Sequence, residues 1–307
     1  MDINLTNNII NNICLEHNLH PILVDIGSTG DSPVIWSAIE SFSTYIGFDP
    51  DTRDIQIITD KRFKKKYIIN KAVTSSDKNN STLFYYTKST HCSSTLFPNF
   101  KSLSNYYSLF NIFQVENVDI IKTTTLNQLV SDLNLSSLDW IKLDTQGTDL
   151  RIIKSLNSMI FNKVLVVDVE PGLIDAYVGE DLFSDVHGYL VGNGFWLSTI
   201  GLNGANRIKQ STIEEMNKRI SNFHKSIQKI KGSPGWCNAR YLRTLEWLNE
   251  HSALNKDYIL LWIFSIIDNQ IGFALDIAFE YEKLFGKSNI SEMLVNYSLL
   301  IFNNLPE

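Results

Sequence analysis

The chain has 307 residues, of which 44% are hydrophobic and 20% charged, and carries a formal net charge of −6. That composition excludes a disordered or fibrous chain and allows one large domain, or a domain with a sizeable appendage. The acidic balance opposes a nucleic-acid face, which needs clustered Lys and Arg to neutralise phosphates.

The short basic run from Lys61 to Lys66 reads as a solvated loop. The three cysteines Cys14, Cys92 and Cys237 form neither a disulfide framework nor a zinc pattern, and suit a reducing compartment. The first twenty residues lack the basic start and apolar run of a signal peptide. The longest apolar stretch, Tyr258 to Ile267, is too short to span a membrane. The expectation is a cytoplasmic protein with no integral membrane segment and no nucleic-acid partner.

Residues 3–18 carry a helical apolar pattern that Pro21 ends. Ile22 to Ile26 is a short apolar strand, followed by the glycine turn Gly27-Ser28-Thr29-Gly30. Val34 to Phe42 has the spacing of a helix packed on a sheet, and residues 43–49 read as a second strand. Tyr67 to Val73 reads as a third strand, Thr82 to Thr87 as an extra one, and residues 88–114 as irregular. Leu126 to Leu133 is a short helix, Asp139 to Asp144 a strand, and Thr148 to Met159 a helix. Lys163 to Glu170 is a near-continuous apolar strand, Leu182 to Gly192 a helix, and Phe195 to Ile200 a strand. Residues 211–231 and 238–304 read as helices on either side of a Gly-Ser-Pro-Gly break.

Strands alternating with helices predict an α/β fold with a parallel sheet covered on both faces. The division expected is a sheet domain over residues 1–205, with its N-terminal helix, and a helical extension over 206–307. The stripe Leu260, Ile263, Phe264, Ile267 is core or the face of a homo-oligomer formed through the C-terminal helices.

The chemistry concentrates at the strand ends. Gly27 and Gly30, with Ser28 between them, let the backbone approach a ligand at the open edge of the sheet. About twenty residues on, Asp49 ends the next strand, where a carboxylate accepts from both hydroxyls of a ribose. The turn lacks the G-x-G-x-x-G spacing that places a helix N-terminus on a pyrophosphate, which opposes a nicotinamide oxidoreductase. Asp25 before the turn would repel a phosphate and suits a cationic ligand. S-adenosylmethionine carries a sulfonium and an ammonium and no phosphate, and Asp25 can accept from its amino group.

At this point the chain resembles the FkbM-type S-adenosylmethionine-dependent methyltransferases. The segments VDIGSTG, IGFDPD, NKAVTSSD with STLFYYT and CSSTLFP, the long stretch through IKLDTQGTDLRIIKSL, and VLVVDVEPGLIDAYVGEDLFSDVHGYLVGNGFWL stand in the family's order. They cover about residues 20–200. The resemblance implies a Rossmann-like class I methyltransferase sheet, mostly parallel and seven-stranded. It implies O-methylation of a sugar or other small molecule. It places the adenine beside Ala72 and Val73. Asp49 stands where the family often has Glu, and Gln146 where Glu is common.

Asp144 ends the Asp139–Asp144 strand, and Glu170 ends the next. Alcohol methylation needs a base, and these two carboxylates are the candidates; Asp144 also borders the cofactor. Asp144 could instead cap the helix that follows, and the same oxygens could hold a divalent ion. His91, Gln146, Trp236 and Arg240 are candidate substrate contacts, with docking of the C-terminal region as the other reading of Trp236 and Arg240. His187 reads as structural. The first expectation is thus an S-adenosylmethionine-dependent methyltransferase acting on a small-molecule or carbohydrate acceptor. The alternative is a non-catalytic module that binds the same cofactor and regulates or scaffolds such a pathway.

Overall fold

The computed structural model describes residues 3–28, 32–51, 53, 62–251 and 253–304. The chain opens with α1 (Ile3–Glu16), β1 (Ile22–Ile26) and β2 (Thr44–Phe48). β3 (Lys65–Ile69), β4 (Ala72–Val73), β5 (Ser81–Thr87), α2 (Phe100–Leu103), α3 (Leu109–Ile112) and β6 (Val115–Thr124) follow. The middle holds α4 (Leu126–Asp132), β7 (Trp140–Leu143), α5 (Asp149–Ser155), α6 (Ser158–Phe161), β8 (Val166–Val169) and α7 (Phe183–Gly192). The remainder is β9 (Phe195–Ala205), α8 (Gln210–Arg219), β10 (Ser233–Arg243), α9 (Leu245–Glu250), α10 (Asn255–Ile267), α11 (Ile271–Phe285) and α12 (Asn289–Asn303).

Seven strands form the central sheet in the order β3-β2-β1-β7-β8-β10-β9, and β4, β6 and β5 form a small second sheet. The first five central strands are parallel; β10 runs antiparallel to both β8 and β9. This is the Rossmann-like, mostly parallel arrangement that the sequence predicts. β1 has β2 on one side and β7 on the other, so the strand order reverses there. Loops at the carboxyl ends of β1 and β7 leave in opposite directions and open a crevice.

Alternation along the strands explains the two layers. Val24 and Ile26 of β1 enter one apolar core and Leu23 the other. One face carries α4 to α7, whose Leu129, Ile152, Ile153, Val186 and Leu190 are buried against it. The other face is covered by α1 and the C-terminal helices. Trp36 meets Trp140 edge-on at 5.9 Å, and Trp140 meets Phe264 at 5.1 Å. In α10 every residue from Tyr258 to Ile266 is buried, so its apolar stripe is core. Arg243 at the end of β10 is fully buried and donates to the carbonyls of Val164, Phe161 and Asn193 at 2.9, 2.6 and 2.5 Å. Its guanidinium stacks on Phe195 at 3.6 Å.

Several elements differ from the sequence-based expectation. Residues 34–42 form two single 3-10 turns, Val34–Trp36 and Glu40–Phe42, rather than one helix. The expected third strand is two, with β3 in the central sheet and β4 in the small one. β6 has no counterpart in the sequence reading. The helix expected from 238 begins with β10, a strand of the central sheet, so that sheet draws on both sides of residue 205. Residues 211–231 divide into α8 and a 3-10 segment, Phe223–Lys229. No helix among the described residues is long and apolar enough to cross a membrane.

Candidate active site

β1 ends at the crevice and the chain turns at Gly27, with φ +87°. A Cβ there would lie 2.2 Å from the carbonyl oxygen of Asp144, so only glycine lets the β1 and β7 ends approach this closely. The backbone N–H groups of Gly27 and Ser28 both donate to the Phe48 carbonyl, at 2.8 and 2.9 Å. They tie β1 to β2 and are spent on that bond. The Ser28 side chain packs against Gly47, outside the cavity lining. Gly30 lies outside the described residues.

A cavity of about 740 Å³, open to solvent, lies over these strand ends. Gly27, Asp49, Ala72, Val73, Asp144 and Gln146 line it, so most of the sequence-predicted cofactor residues come together. Phe84 adds an apolar wall. Asp49 is buried and accepts the Asp51 backbone N–H at 2.7 Å. Burial, with the carboxylates of Asp51, Asp144 and Asp25 nearby, pushes its carboxyl up to about 7. No cation bonds it among the described residues. Asp51, two residues on, is neutralised by Arg53 at 2.6 Å, which also donates to Ser93. Asp49 is therefore the cavity's acceptor with spare capacity.

Asp25 does not line this cavity. Strand alternation turns it to the opposite face, where it accepts from Lys142 at 3.0 Å and from the Tyr45 hydroxyl at 3.1 Å. Burial opposes the charge of Lys142, but Asp25, then Asp144 and Asp168, hold its ammonium above the usual range. Asp25, expected from the sequence to meet a cofactor amino group, stands in this buried ion pair.

A second cavity, of about 960 Å³, adjoins the first and shares His91, Asp144 and Gln146 with it. Glu170 lies on its wall, facing Asp144. Burial, and then the charge and hydrogen bond of Asp144, push Glu170 up to about 8. Gln146 holds the other side of Asp144: its Nε2 donates to Oδ1 at 2.6 Å, and its Oε1 accepts from the Tyr177 hydroxyl at 2.8 Å. Gln146 has φ +55°, a left-handed backbone uncommon outside glycine and asparagine, and its carbonyl accepts from Ser94. The glutamine thus braces the acid pair.

Asp149 was not singled out in the sequence. It is buried at the start of α5 and accepts from the Thr145 N–H and hydroxyl and from the Glu170 N–H at 3.0 Å. One carboxylate thereby sets the spacing of the β7 and β8 ends. Its position directly after the Gly147 turn, at a helix start, is the signal that could have marked it. Tyr177 and Glu180 also line the second cavity; both lie in the segment that follows β8 in the family resemblance, though neither was singled out there.

Trp236 lines the second cavity. Arg240 does not. It bonds Asp168 at 2.6 Å and Asp268 at 2.7 Å over the Trp140 ring, and so docks the helical region on the sheet. His187 meets the Tyr241 hydroxyl at 3.1 Å, a structural role. Among the described residues no group of three or more His, Cys, Asp or Glu is placed to hold a metal ion.

A reversed-order, mostly parallel sheet with two cavities meeting at Asp144 over its strand ends is a Rossmann-like architecture. Residues 38–197 match the methyltransferase FkbM domain, and the chain belongs to that family. It is a methyltransferase. No curated protein matches the chain.

Proposed function

We propose that the enzyme takes its methyl group from S-adenosylmethionine and places it on a hydroxyl oxygen of a small-molecule or carbohydrate acceptor. The observation that carries this reading is the junction of the two cavities at Asp144, with Glu170 beside it on the wall of the second. The first cavity suits the cofactor: a buried carboxyl for ribose hydroxyls at Asp49, with no cation bonded to it among the described residues, and an apolar wall of Ala72, Val73 and Phe84 for a base. Gly27 keeps the cavity floor free of a side chain.

When bound, S-adenosylmethionine supplies an electrophilic methyl on a sulfonium. The chain's own work is alignment and proton acceptance. An alcohol entering from the second cavity would meet the acid pair at the junction. Whichever of the two carboxylates is ionised would accept the hydroxyl proton during transfer. Gln146 and Asp149 hold those oxygens in place, which matters because small misalignments are costly in a direct displacement.

Titration calorimetry with S-adenosylhomocysteine tests the reading. Saturable binding is expected. Asp49→Ala should weaken it about ten- to a hundredfold, the worth of a pair of charge-assisted hydrogen bonds. Absence of binding by the folded protein, or NAD binding in its place, overturns it. Transfer of labelled methyl to any hydroxyl acceptor separates the enzyme from a non-catalytic module.

A further inference from the structure

The second cavity has a definite chemical character. Its body is apolar and aromatic, with Leu109, Ile112, Phe113, Tyr177 and Trp236 in its walls. Its charged groups are mainly acidic, with Ser89, His91 and Gln146 as further polar side chains. Asp144, Glu170 and Glu180 line it, and among the described residues no lysine or arginine does. Lys142 is committed to Asp25, Arg240 to Asp168 and Asp268, and Arg151 to Asp181.

Resting on the methyltransferase reading above, we infer that the acceptor carries a protonated amine on an apolar or aromatic body. An ammonium entering here gains the three carboxyls and the ring face of Trp236, and a desolvated cation over an aromatic ring is well stabilised. A carboxylate, phosphate or sulfate would be buried beside three acidic side chains, with His91 as the one basic side chain among the described lining residues, which is unfavourable. Acidic sugars and phosphorylated acceptors are therefore disfavoured, and amino sugars and aryl or alkyl amino alcohols are favoured.

Glu180 is the residue that gives this preference its direction. It lies away from the Asp144–Glu170 junction, and its Oε2 accepts from the Ala176 and Tyr177 N–H groups at 2.7 and 3.0 Å. Its other oxygen lies beside Gly172, where a Cβ would come within 2.3 Å, so the glycine keeps this oxygen accessible. Burial pushes Glu180 up to about 7, and a facing ammonium would draw it down again.

The test is a matched series on one scaffold: tyramine, 4-ethylphenol and 4-hydroxyphenylacetate, titrated into protein saturated with S-adenosylhomocysteine at neutral pH. Tyramine should bind about tenfold or more tighter than the neutral phenol, and the acid weakest. Glu180→Gln, which keeps the carbonyl acceptor for both backbone N–H groups, should reduce the amine preference several-fold and leave 4-ethylphenol affinity unchanged. Equal affinities, preference for the acid, no tyramine binding, or an unchanged preference in the variant overturns the inference. Because S-adenosylhomocysteine binding is measured in the same sample, its loss marks failure of the methyltransferase reading itself.

Discussion

A carboxyl buried with no cation bonded to it keeps its proton longer, and Glu170 illustrates the consequence for catalysis. At neutral pH it is largely protonated, since burial and then Asp144 push it up to about 8. Its capacity to take a proton from a hydroxyl therefore appears as pH rises through about 8. We expect kcat/KM to climb through that region and level off above it. Glu170→Gln should remove the climb and leave a lower, flatter profile, because the amide still donates towards Asp144 but accepts no proton. Initial rates with labelled methyl donor across pH check this, and an unchanged limb in the variant would exclude Glu170 as the base. The strand-end carboxylates Asp49, Asp144 and Glu170 were legible in the sequence, because a residue at the carboxyl end of a buried strand has few places to point except the crevice. The ion pair of Asp25 was not, and for Arg240 the sequence offered docking but not its partners. Those partners stand far along the chain, Lys142 at 117 residues from Asp25 and Asp168 at 72 from Arg240. No local pattern encodes such pairings.

At the scale of elements, the β1–β7 junction depends on one missing side chain. Gly27→Ala would need a Cβ 2.2 Å from a backbone carbonyl at φ +87°. Left-handed strain alone costs about 1–3 kcal/mol, and here the neighbouring strand end must also shift. We expect loss of S-adenosylhomocysteine binding together with a lowered melting temperature; Gly286→Ala, at φ +85° with open space around it, should cost only the strain. Equal effects of the two substitutions on melting would refute the close-approach argument. The turn itself was readable, because a glycine after an apolar run leaves few options. β6 was hidden for the opposite reason. Val115 to Thr124 is mostly exposed on both faces of a small sheet, so it lacks the alternation that half-burial imposes. β10 was hidden by Pro234 and Gly235, which read as a break but sit where the strand is irregular opposite β9. The expected helix at 34–42 is instead two short 3-10 turns that still bury Trp36 and Glu40, so the apolar spacing marked the buried face but not the helix type.

For the whole molecule, the question is whether the C-terminal helices are a separate unit. Their sequence gave every sign of one: a Gly-Ser-Pro-Gly break and then a change from alternating strands and helices to helices alone. Packing argues the reverse. One continuous apolar core joins Ile10 and Ile13 of α1, Trp36, Trp140 of β7 and Leu242 of β10 to Trp262, Phe264, Ala274 and Leu294. Arg240 adds an ion-pair tie from β10 to Asp268, just past α10. Removing the helices would uncover the sheet face that holds Trp140, and an apolar surface of that extent is not stable in water. Phe264→Ala should therefore cost about 3–5 kcal/mol, as for a large core aromatic. It should lower the stability of the sheet and of the helices together. In denaturant, far-ultraviolet circular dichroism and tryptophan fluorescence should trace one coincident transition, with the variant's midpoint shifted and its slope unchanged. Two transitions, with only the later or earlier one moved by Phe264→Ala, would establish instead that residues beyond about 244 fold on their own. The single transition follows from where the chain places its tryptophans: Trp36, Trp140 and Trp262 share one core, so neither half can bury its largest side chains without the other.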